Sequence, residues 1–206
     1  MSPLEKYPEN ILILASGSLT RAGLLREAGV AVEIQPPNVD EQELKLSLKA
    51  EMAGTNAAAL TLAEAKARNV SRRFPGRLVL AADQMLDCGG IWFDKPRHRA
   101  EARAQLLALR GREHLLVSAA LLMRDGQRLW HKVDEARLTV RDFTDAFLDE
   151  YLDQAGDEVL ASVGAYRLEG RGAQLFSAIS GDFFTILGLP LLPVLGILRE
   201  HGLVAR

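Results

Sequence analysis

The chain has 206 residues, of which 48% are hydrophobic and 25% charged, and Lys+Arg 25 against Asp+Glu 27 leaves a formal net charge of -2. These proportions exclude a disordered chain and a protein that coats a nucleic-acid polymer, and the length suits one sizeable α/β unit or two lobes sharing a cleft. The single cysteine, Cys88, excludes an internal disulfide and a Cys-rich zinc site and suits a reducing compartment.

In chain order, Met1–Asn10 carries Pro3, Glu5, Lys6, Pro8 and Glu9 and reads as no targeting signal. The apolar run Ile11–Ala15 is too short for a signal-peptide core and reads instead as a strand covered on both faces. Ser16-Gly17-Ser18 breaks it, and a helix is predicted over Leu19–Ala28, stopped by Gly29. Val30–Gln35 alternates as a second strand and ends at Pro36-Pro37. Asn38–Lys49 reads as an acidic surface loop with a short helix. Thr55 or Asn56 is expected to cap an Ala-rich helix running to Arg73.

Leu78–Ala82 is a buried strand that delivers Asp83 at its end. Gly89-Gly90 turns the chain into Ile91-Trp92-Phe93, and Asp94-Lys95-Pro96 leads to a helix over Ala100–Leu109 ended by Gly111. Leu115–Met123, the Asp125-Gly126 turn and Leu129–Val140 predict a long hairpin. Thr144 caps a helix to Asp153 with Phe147, Leu148, Tyr151 and Leu152 on its apolar face. Gly164–Gly172 is punctuated by glycine, and Leu191–His201 closes the chain as a helix.

The most apolar stretch, Phe183–Leu198, is shorter than the ~20 residues of a spanning helix. Gly188, Pro190, Pro193 and Gly196 interrupt it, so it reads as buried core. A soluble, cytoplasmic protein with no membrane association is expected. Strands alternating with helices, one hairpin included, predict an α/β fold with a mixed sheet and flanking helices.

Familiar motifs are missing. No Gly-x-x-x-x-Gly-Lys-Ser/Thr, His-Glu-x-x-His or Gly-x-Ser-x-Gly occurs, which argues against a P-loop nucleotidase, a zinc hydrolase and a serine hydrolase with a nucleophile elbow. His98, His114, His131 and His201 have no partner at ligand spacing and each reads as a lone surface histidine.

Four places remain that carry chemistry. At Ser16-Gly17-Ser18-Leu19-Thr20-Arg21 a strand ends, a glycine admits close approach and a helix begins with free N–H groups, a combination that attracts phosphate. Arg21, three residues after Ser18, falls on the same helical side; the alternative is a plain capped helix with a solvated arginine. Asp83-Gln84 follows five apolar residues, where a carboxylate holds Mg²⁺, takes a proton from water, or merely begins a turn. Asp40-Glu41 offers a second carboxylate or only a solvated acidic loop. Lys66, mid-helix, and Lys95, before Pro96, are further cations or ordinary surface lysines. Together these hydroxyls, cations and carboxylates are the mixture that a nucleoside triphosphate site with magnesium needs.

Leu14-Ala15-Ser16-Gly17-Ser18 followed by Arg21, then Asp83, Lys95-Pro96, Gly164-Ala165-Tyr166, Glu169-Gly170-x-Gly172, Gly181-Asp182 and Gly188-Leu189-Pro190-Leu191 stand in the order of the Maf family. The sequence resembles that family from about Ile11 to Gly202. The resemblance implies residues 1–206 as a single Maf-like domain of two lobes around a cleft, with a mixed α/β fold related to the inosine triphosphate pyrophosphatases. It implies a metal-dependent nucleoside triphosphate pyrophosphatase that releases a monophosphate and pyrophosphate with Mg²⁺ or Mn²⁺, and a homodimer. Carried onto this chain, the proton acceptor is Asp83, which with Glu41 also serves the metal, and the phosphate contacts are Ser16, Ser18, Arg21, Lys66 and Lys95.

Departures from the family pattern bear on substrate. The usual Ser-x-Ser-Pro-Arg-Arg or Ser-x-Ser-Pro-Trp-Arg is here Ser16-Gly17-Ser18-Leu19-Thr20-Arg21, and Asp-Lys-Ala-Gly-Ala-Tyr is Ala161-Ser162-Val163-Gly164-Ala165-Tyr166. Asp94 stands before Lys95 where many members carry glycine. A dTTP/UTP branch carries arginine, threonine and glutamine at the places held by Thr20, Gln84 and Glu169; a 7-methyl-GTP branch carries tryptophan, glutamine and glutamate. Gln84 and Glu169 match the second branch. A carboxylate only accepts hydrogen bonds, which suits the adjacent N–H donors of a guanine edge and the positive charge of an N7-methylated base. Other readings are a non-catalytic nucleotide-binding regulator of septum formation and cell division, an inosine triphosphate pyrophosphatase proper, and an α/β scaffold without enzymatic role.

Overall fold

A computed structural model describes residues 11–205, so the reading of Met1–Asn10 as free of a targeting signal lies outside the described residues. Seven strands share one mixed sheet: β1 (Leu12–Ala15), β2 (Val32–Ile34), β3 (Val79–Cys88), β4 (Ile91–Phe93), β5 (Glu113–Arg124), β6 (Gln127–Val140) and β7 (Phe176–Ser180). Their order is β2-β1-β3-β5-β6-β7, with β4 paired to β3. By internal contacts the chain divides into two compact units. The first takes the residues up to Asp83, Ser118–Asp134 and those from Gly188 on; the second takes Gln84–Val117 and Glu135–Leu187.

In the first unit β1 runs parallel to β2, Leu12 opposite Val32, and parallel to β3, Ile13 opposite Val79. Parallel neighbours require crossovers. Helix α1 (Leu19–Glu27) makes the first, and α2 (Glu41–Ala50) and α3 (Thr55–Ser71) stand before β3. Every residue of β1 is buried, which accounts for its unbroken apolar run. Truncating Leu12 or Leu14 to alanine would cost about 2–5 kcal/mol.

Three sequence expectations change in this unit. The cap of α3 is Gly54, and Thr55 is already helical, because the backbone at Gly54 is extended while Thr55 begins the helical turns. The segment read as an acidic surface loop with a short helix is helical from its fourth residue on, as the ten-residue α2, for which the Asp40 side chain accepts from Glu43 N at 2.9 Å. Strand β3 also continues through Asp83 to Cys88, so Asp83 lies mid-strand. The polar step at 83–84 did not end the strand, because Met85, Leu86 and Cys88 resume burial beyond it.

The hairpin joining β5 and β6 turns at Asp125 (φ 51) and Gly126 (φ 75), the two left-handed residues that a tight two-residue turn demands. Gly76 N donates to Asp125 Oδ1 at 2.6 Å and Gly126 N to Ser71 Oγ at 3.1 Å, fastening the turn to the end of α3. The last helix, here α7 (Leu191–Glu200), buries Leu191, Val194, Ile197 and Leu198.

The second unit has its own core, which includes Leu86, Leu106, Leu109, Leu116, Leu138, Phe143, Leu148 and Tyr151. Helices α4 (Arg99–Leu109) and α5 (Asp145–Ala155) contribute to it, and the Thr144 side chain caps α5 by accepting from Phe147 N. A short helix, α6 (Phe183–Ile186), follows β7. Strand β7, which the sequence did not announce, pairs antiparallel with β6, Leu138 opposite Ile179. It is the last strand of the sheet order and mostly exposed, so its sequence carries little of the alternation that marks a half-buried strand.

His114 corrects the reading of four surface histidines, being only 2% exposed. It stands on β5, where burial is nearly continuous, and its Nε2 lies 2.6 Å from the Tyr166 hydroxyl. Burial pulls its pKa down to about 4. The backbone before Tyr166 is left-handed at Gly164 (φ 78) and Ala165 (φ 60). A Cβ at Gly164 would meet Leu86 Cδ1 at 2.6 Å, so glycine is required there.

Candidate active site

Three segments of the first unit bring Glu41, Lys66 and Asp83 together. Lys66 lies on the buried face of α3 with Ala59, Leu62, Ala63 and Val70, so helical spacing directs it inward. An ammonium buried there would cost several kcal/mol unless paired. Lys66 Nζ meets Asp83 Oδ1 at 2.6 Å and Glu41 Oε1 at 2.8 Å. Asp83 reaches it from β3, and Glu41 from the first turn of α2, where a carboxylate also complements the helix dipole. Lys66 and Asp83 are buried, while the Glu41 side chain stays 41% exposed. Asp83 Oδ2 is buried and no hydrogen-bond donor among the described residues reaches it.

Arg21 belongs to the same unit and is held from three directions. Its Nε donates to Gly188 O at 2.8 Å, and its Nη1 donates to Ala82 O at 2.9 Å and to Ser16 Oγ at 3.2 Å. Of the five N–H donors of a guanidinium these bonds take three, leaving the pair on Nη2. Burial lowers the Arg21 pKa, and the nearby Asp83 and Glu41 carboxylates act to raise it. A guanidinium keeps its charge at neutral pH under either influence.

The Ser16 hydroxyl oxygen also accepts from Ser18 N at 3.2 Å, which leaves its own O–H to donate elsewhere. Ser18 is the N-cap of α1 and accepts from Arg21 N at 3.3 Å. Thr20 lies exposed in the first turn of that helix. The carbonyls of Ala82 and Gly188, which anchor Arg21, are backbone groups that no residue pattern announces.

Lys95, Gln84 and Glu169 belong to the second unit. Lys95 is exposed in the loop between β4 and α4. Gln84 Nε2 donates to the carbonyls of Ile186 at 2.9 Å and Thr185 at 3.1 Å. Glu169 Oε1 accepts from Arg167 Nε at 3.0 Å, and the other arm of Arg167 pairs with Glu158 at 2.8 Å. Gln84 and Glu169 are thus built into hydrogen bonds within their own unit.

Among the described residues no group of three His, Cys, Asp or Glu side chains is gathered for a metal ion. The donor set still fits Mg²⁺ or Mn²⁺, which take one or two carboxylates and fill the other positions with phosphate oxygens and water. Two hard carboxylates share Lys66, and the buried Oδ2 of Asp83 lacks a donor. No helix among the described residues is long and apolar enough to cross a membrane.

Comparison with known proteins adds an independent line. A family model described as "Maf-like protein" matches residues 11–201. The chain is 56% identical to a nucleoside triphosphate pyrophosphatase of Paramagnetospirillum magneticum, over 92% of its own length and 98% of that protein's. It is 47% identical to a 7-methyl-GTP pyrophosphatase of Rhizobium meliloti, over 94% of its own length and 98% of that protein's. Among solved structures, a HAM1 protein from Coxiella burnetii matches 63% of this chain and 72% of its own at 16% identity with a TM-score of 0.41, a likeness too slight to bear on function.

Proposed function

The chain belongs to the Maf family, and on that footing we propose that it is a nucleoside triphosphate pyrophosphatase in which residues 1–206 act as one domain. The substrate is a nucleotide of the 7-methyl-GTP kind, and the products are its monophosphate and pyrophosphate. The observation that carries this reading is the state of Asp83. One carboxylate oxygen is fixed by Lys66, and the other is buried with no donor among the described residues, which leaves it an acceptor for a water proton.

Asp83 Oδ2 orients a water and accepts its proton as the oxygen attacks phosphorus. The anhydride bond between the α and β phosphates breaks, and pyrophosphate departs with the electron pair. Lys66 holds the Asp83 carboxylate in one orientation. The Nη2 donors of Arg21, the Ser16 hydroxyl, Ser18 and Lys95 stabilise phosphate oxygens as negative charge builds. Glu41 and Asp83 would hold Mg²⁺ or Mn²⁺, which when bound reduces the repulsion between triphosphate and incoming water. Gln84 and Glu169 support the 7-methyl-GTP preference, since the Oε2 of Glu169 remains an acceptor for a cationic, donor-rich base edge. Thr20 supplies no aromatic face for stacking on that base.

The test is to incubate the protein with Mg²⁺ and 7-methyl-GTP, dTTP, UTP or ITP and measure pyrophosphate. Release with 7-methyl-GTP fastest is expected. Binding without release would favour a nucleotide-binding regulator, and dTTP turned over far faster than 7-methyl-GTP would remove the specificity role from Glu169.

A further inference from the structure

Helix α4 buries Ala102, Gln105, Leu106 and Leu109 along one face, and the only polar member of that set is Gln105, which is 8% exposed. Its Nε2 donates to the carbonyl of Asp94 at 2.9 Å. Its Oε1 is buried, and no donor among the described residues reaches it. A half-satisfied amide on an apolar face weakens a fold compared with a leucine or methionine of like volume, because the lone acceptor has given up water for nothing. Core packing therefore does not account for glutamine here. Its one bond leaves the helix and ends on the backbone of the Asp94-Lys95-Pro96 loop.

The same helix holds the far end of that loop. Glu101 Oε2 accepts from Arg97 N at 2.9 Å, and His98 Nδ1 accepts in return from Glu101 N at 3.2 Å, a reciprocal arrangement of the capping-box kind. Pro96, between these two attachments, is buried and has a fixed φ. Lys95 is thus carried on a short stretch pinned to α4 on both sides.

We propose that Gln105 is a positioning residue, which by holding the Asp94 carbonyl sets the backbone from which Lys95 reaches the phosphates of the substrate. This rests on the reading of Lys95 as a phosphate contact under the proposed function. A bond to the backbone on one side of a lysine fixes where its flexible stem begins. Losing that bond leaves the charge in place and loosens the backbone that carries it, which weakens binding more than chemistry.

The experiment compares wild type, Gln105→Met, Gln105→Glu and Lys95→Ala, with the Gln105→Met/Lys95→Ala double variant. Methionine fills the volume without a donor, and glutamate keeps the shape while removing the donor. In pyrophosphate-release assays both Gln105 variants should raise KM by about three- to tenfold, the size of one weakened charged contact, with kcat within about twofold. The melting temperature of Gln105→Met should not fall. Added to Lys95→Ala, Gln105→Met should raise KM no further, because the group it positions is gone. An unchanged KM in Gln105→Met and Gln105→Glu, or an equal KM rise with and without Lys95, would overturn the proposal.

Amide hydrogen exchange of residues 94–98 gives a readout that needs no turnover, and it should quicken in both Gln105 variants. Unaltered exchange there would overturn the positioning role even in a protein that hydrolyses no nucleotide. Absence of hydrolysis by wild type would instead count against the pyrophosphatase reading alone.

Discussion

Replacing Asp83 with asparagine separates chemistry from folding, because the two effects differ in size. The substitution keeps volume and shape and leaves Lys66 Nζ its second carboxylate, Glu41 Oε1, at 2.8 Å. What folding loses is the charge on one hydrogen bond, now 2.6 Å long. Bonds to charged groups contribute about 1.5–3 kcal/mol and neutral ones about 0.5–1.5 kcal/mol, so stability should fall by about 1 kcal/mol. The rate should fall far more. A positioned general base contributes about 10²–10⁴-fold, or about 3–5 kcal/mol of barrier, and an amide cannot take the water's proton. Initial rates of pyrophosphate release at saturating 7-methyl-GTP with Mg²⁺, beside urea unfolding of the same preparations, measure both numbers. A folded Asp83→Asn protein that turns over within about threefold of wild type would refute Asp83 as proton acceptor.

Lys66→Met should be the more destabilising change, by about 3–5 kcal/mol in urea unfolding, since it leaves buried Asp83 facing Glu41 without the ammonium that pairs with both. Adding Asp83→Asn to it should recover much of that loss, whereas simple addition of the two penalties would contradict the coupling. For His114 the pKa is about 4 in the fold and about 6.5 when unfolded, so below pH 6.5 the unfolded chain takes up a proton that the fold refuses. The associated stability, present in full above pH 6.5, should be lost as pH falls towards 4, by about 3 kcal/mol in total. His114→Gln, which does not titrate, should lack that part of the slope; an identical pH profile for the two proteins would rule it out. Glu169→Gln should lower kcat/KM for 7-methyl-GTP and raise it for dTTP and UTP, and an unaltered preference ratio would take Glu169 out of base selection.

The strand runs Ile11–Ala15 and Leu78–Ala82, the long hairpin and the Thr144 cap were legible because each rests on a local rule: continuous apolarity, a two-residue turn, a side-chain oxygen before a helix. Strand β7 was not, because an exposed strand at the end of the sheet order lacks a strong period. Asp83 shows a different failure. A polar residue after an apolar run looks like a strand end, yet here the carboxylate is accommodated mid-strand by an ammonium from α3, a tertiary fact that no window of sequence contains. Lys66 is no ordinary surface lysine, since it keeps step with Ala59, Leu62, Ala63 and Val70 and a helical count alone puts it on the buried face. His114 reads as a surface residue because the charged Arg112 and Glu113 precede it, while the strand that carries it is buried in space.

The charged cluster is best understood through what it does not do for folding. Lys66, Asp83 and Glu41 are drawn from α3, β3 and α2, and Arg21 adds a second cation whose bonds end on Ala82 O and Gly188 O rather than on a carboxylate. Desolvating such a set costs much of what its attractions return, and well-packed apolar residues in the same volume would serve stability as well or better. The chain nevertheless carries Lys66 and Asp83 on elements that are otherwise mostly apolar where buried, Ala59, Leu62, Ala63 and Val70 on α3 and Val79–Ala82 on β3. In that low-polarity setting an anionic oxygen without a donor is an unusually strong acceptor, and a cation with two free N–H groups an unusually strong donor. Under the proposed function, holding both in place before substrate arrives would remove the reorganisation that water would otherwise have to supply during the reaction. The arrangement that is costly for a resting fold would then be the one that favours hydrolysis of an anhydride.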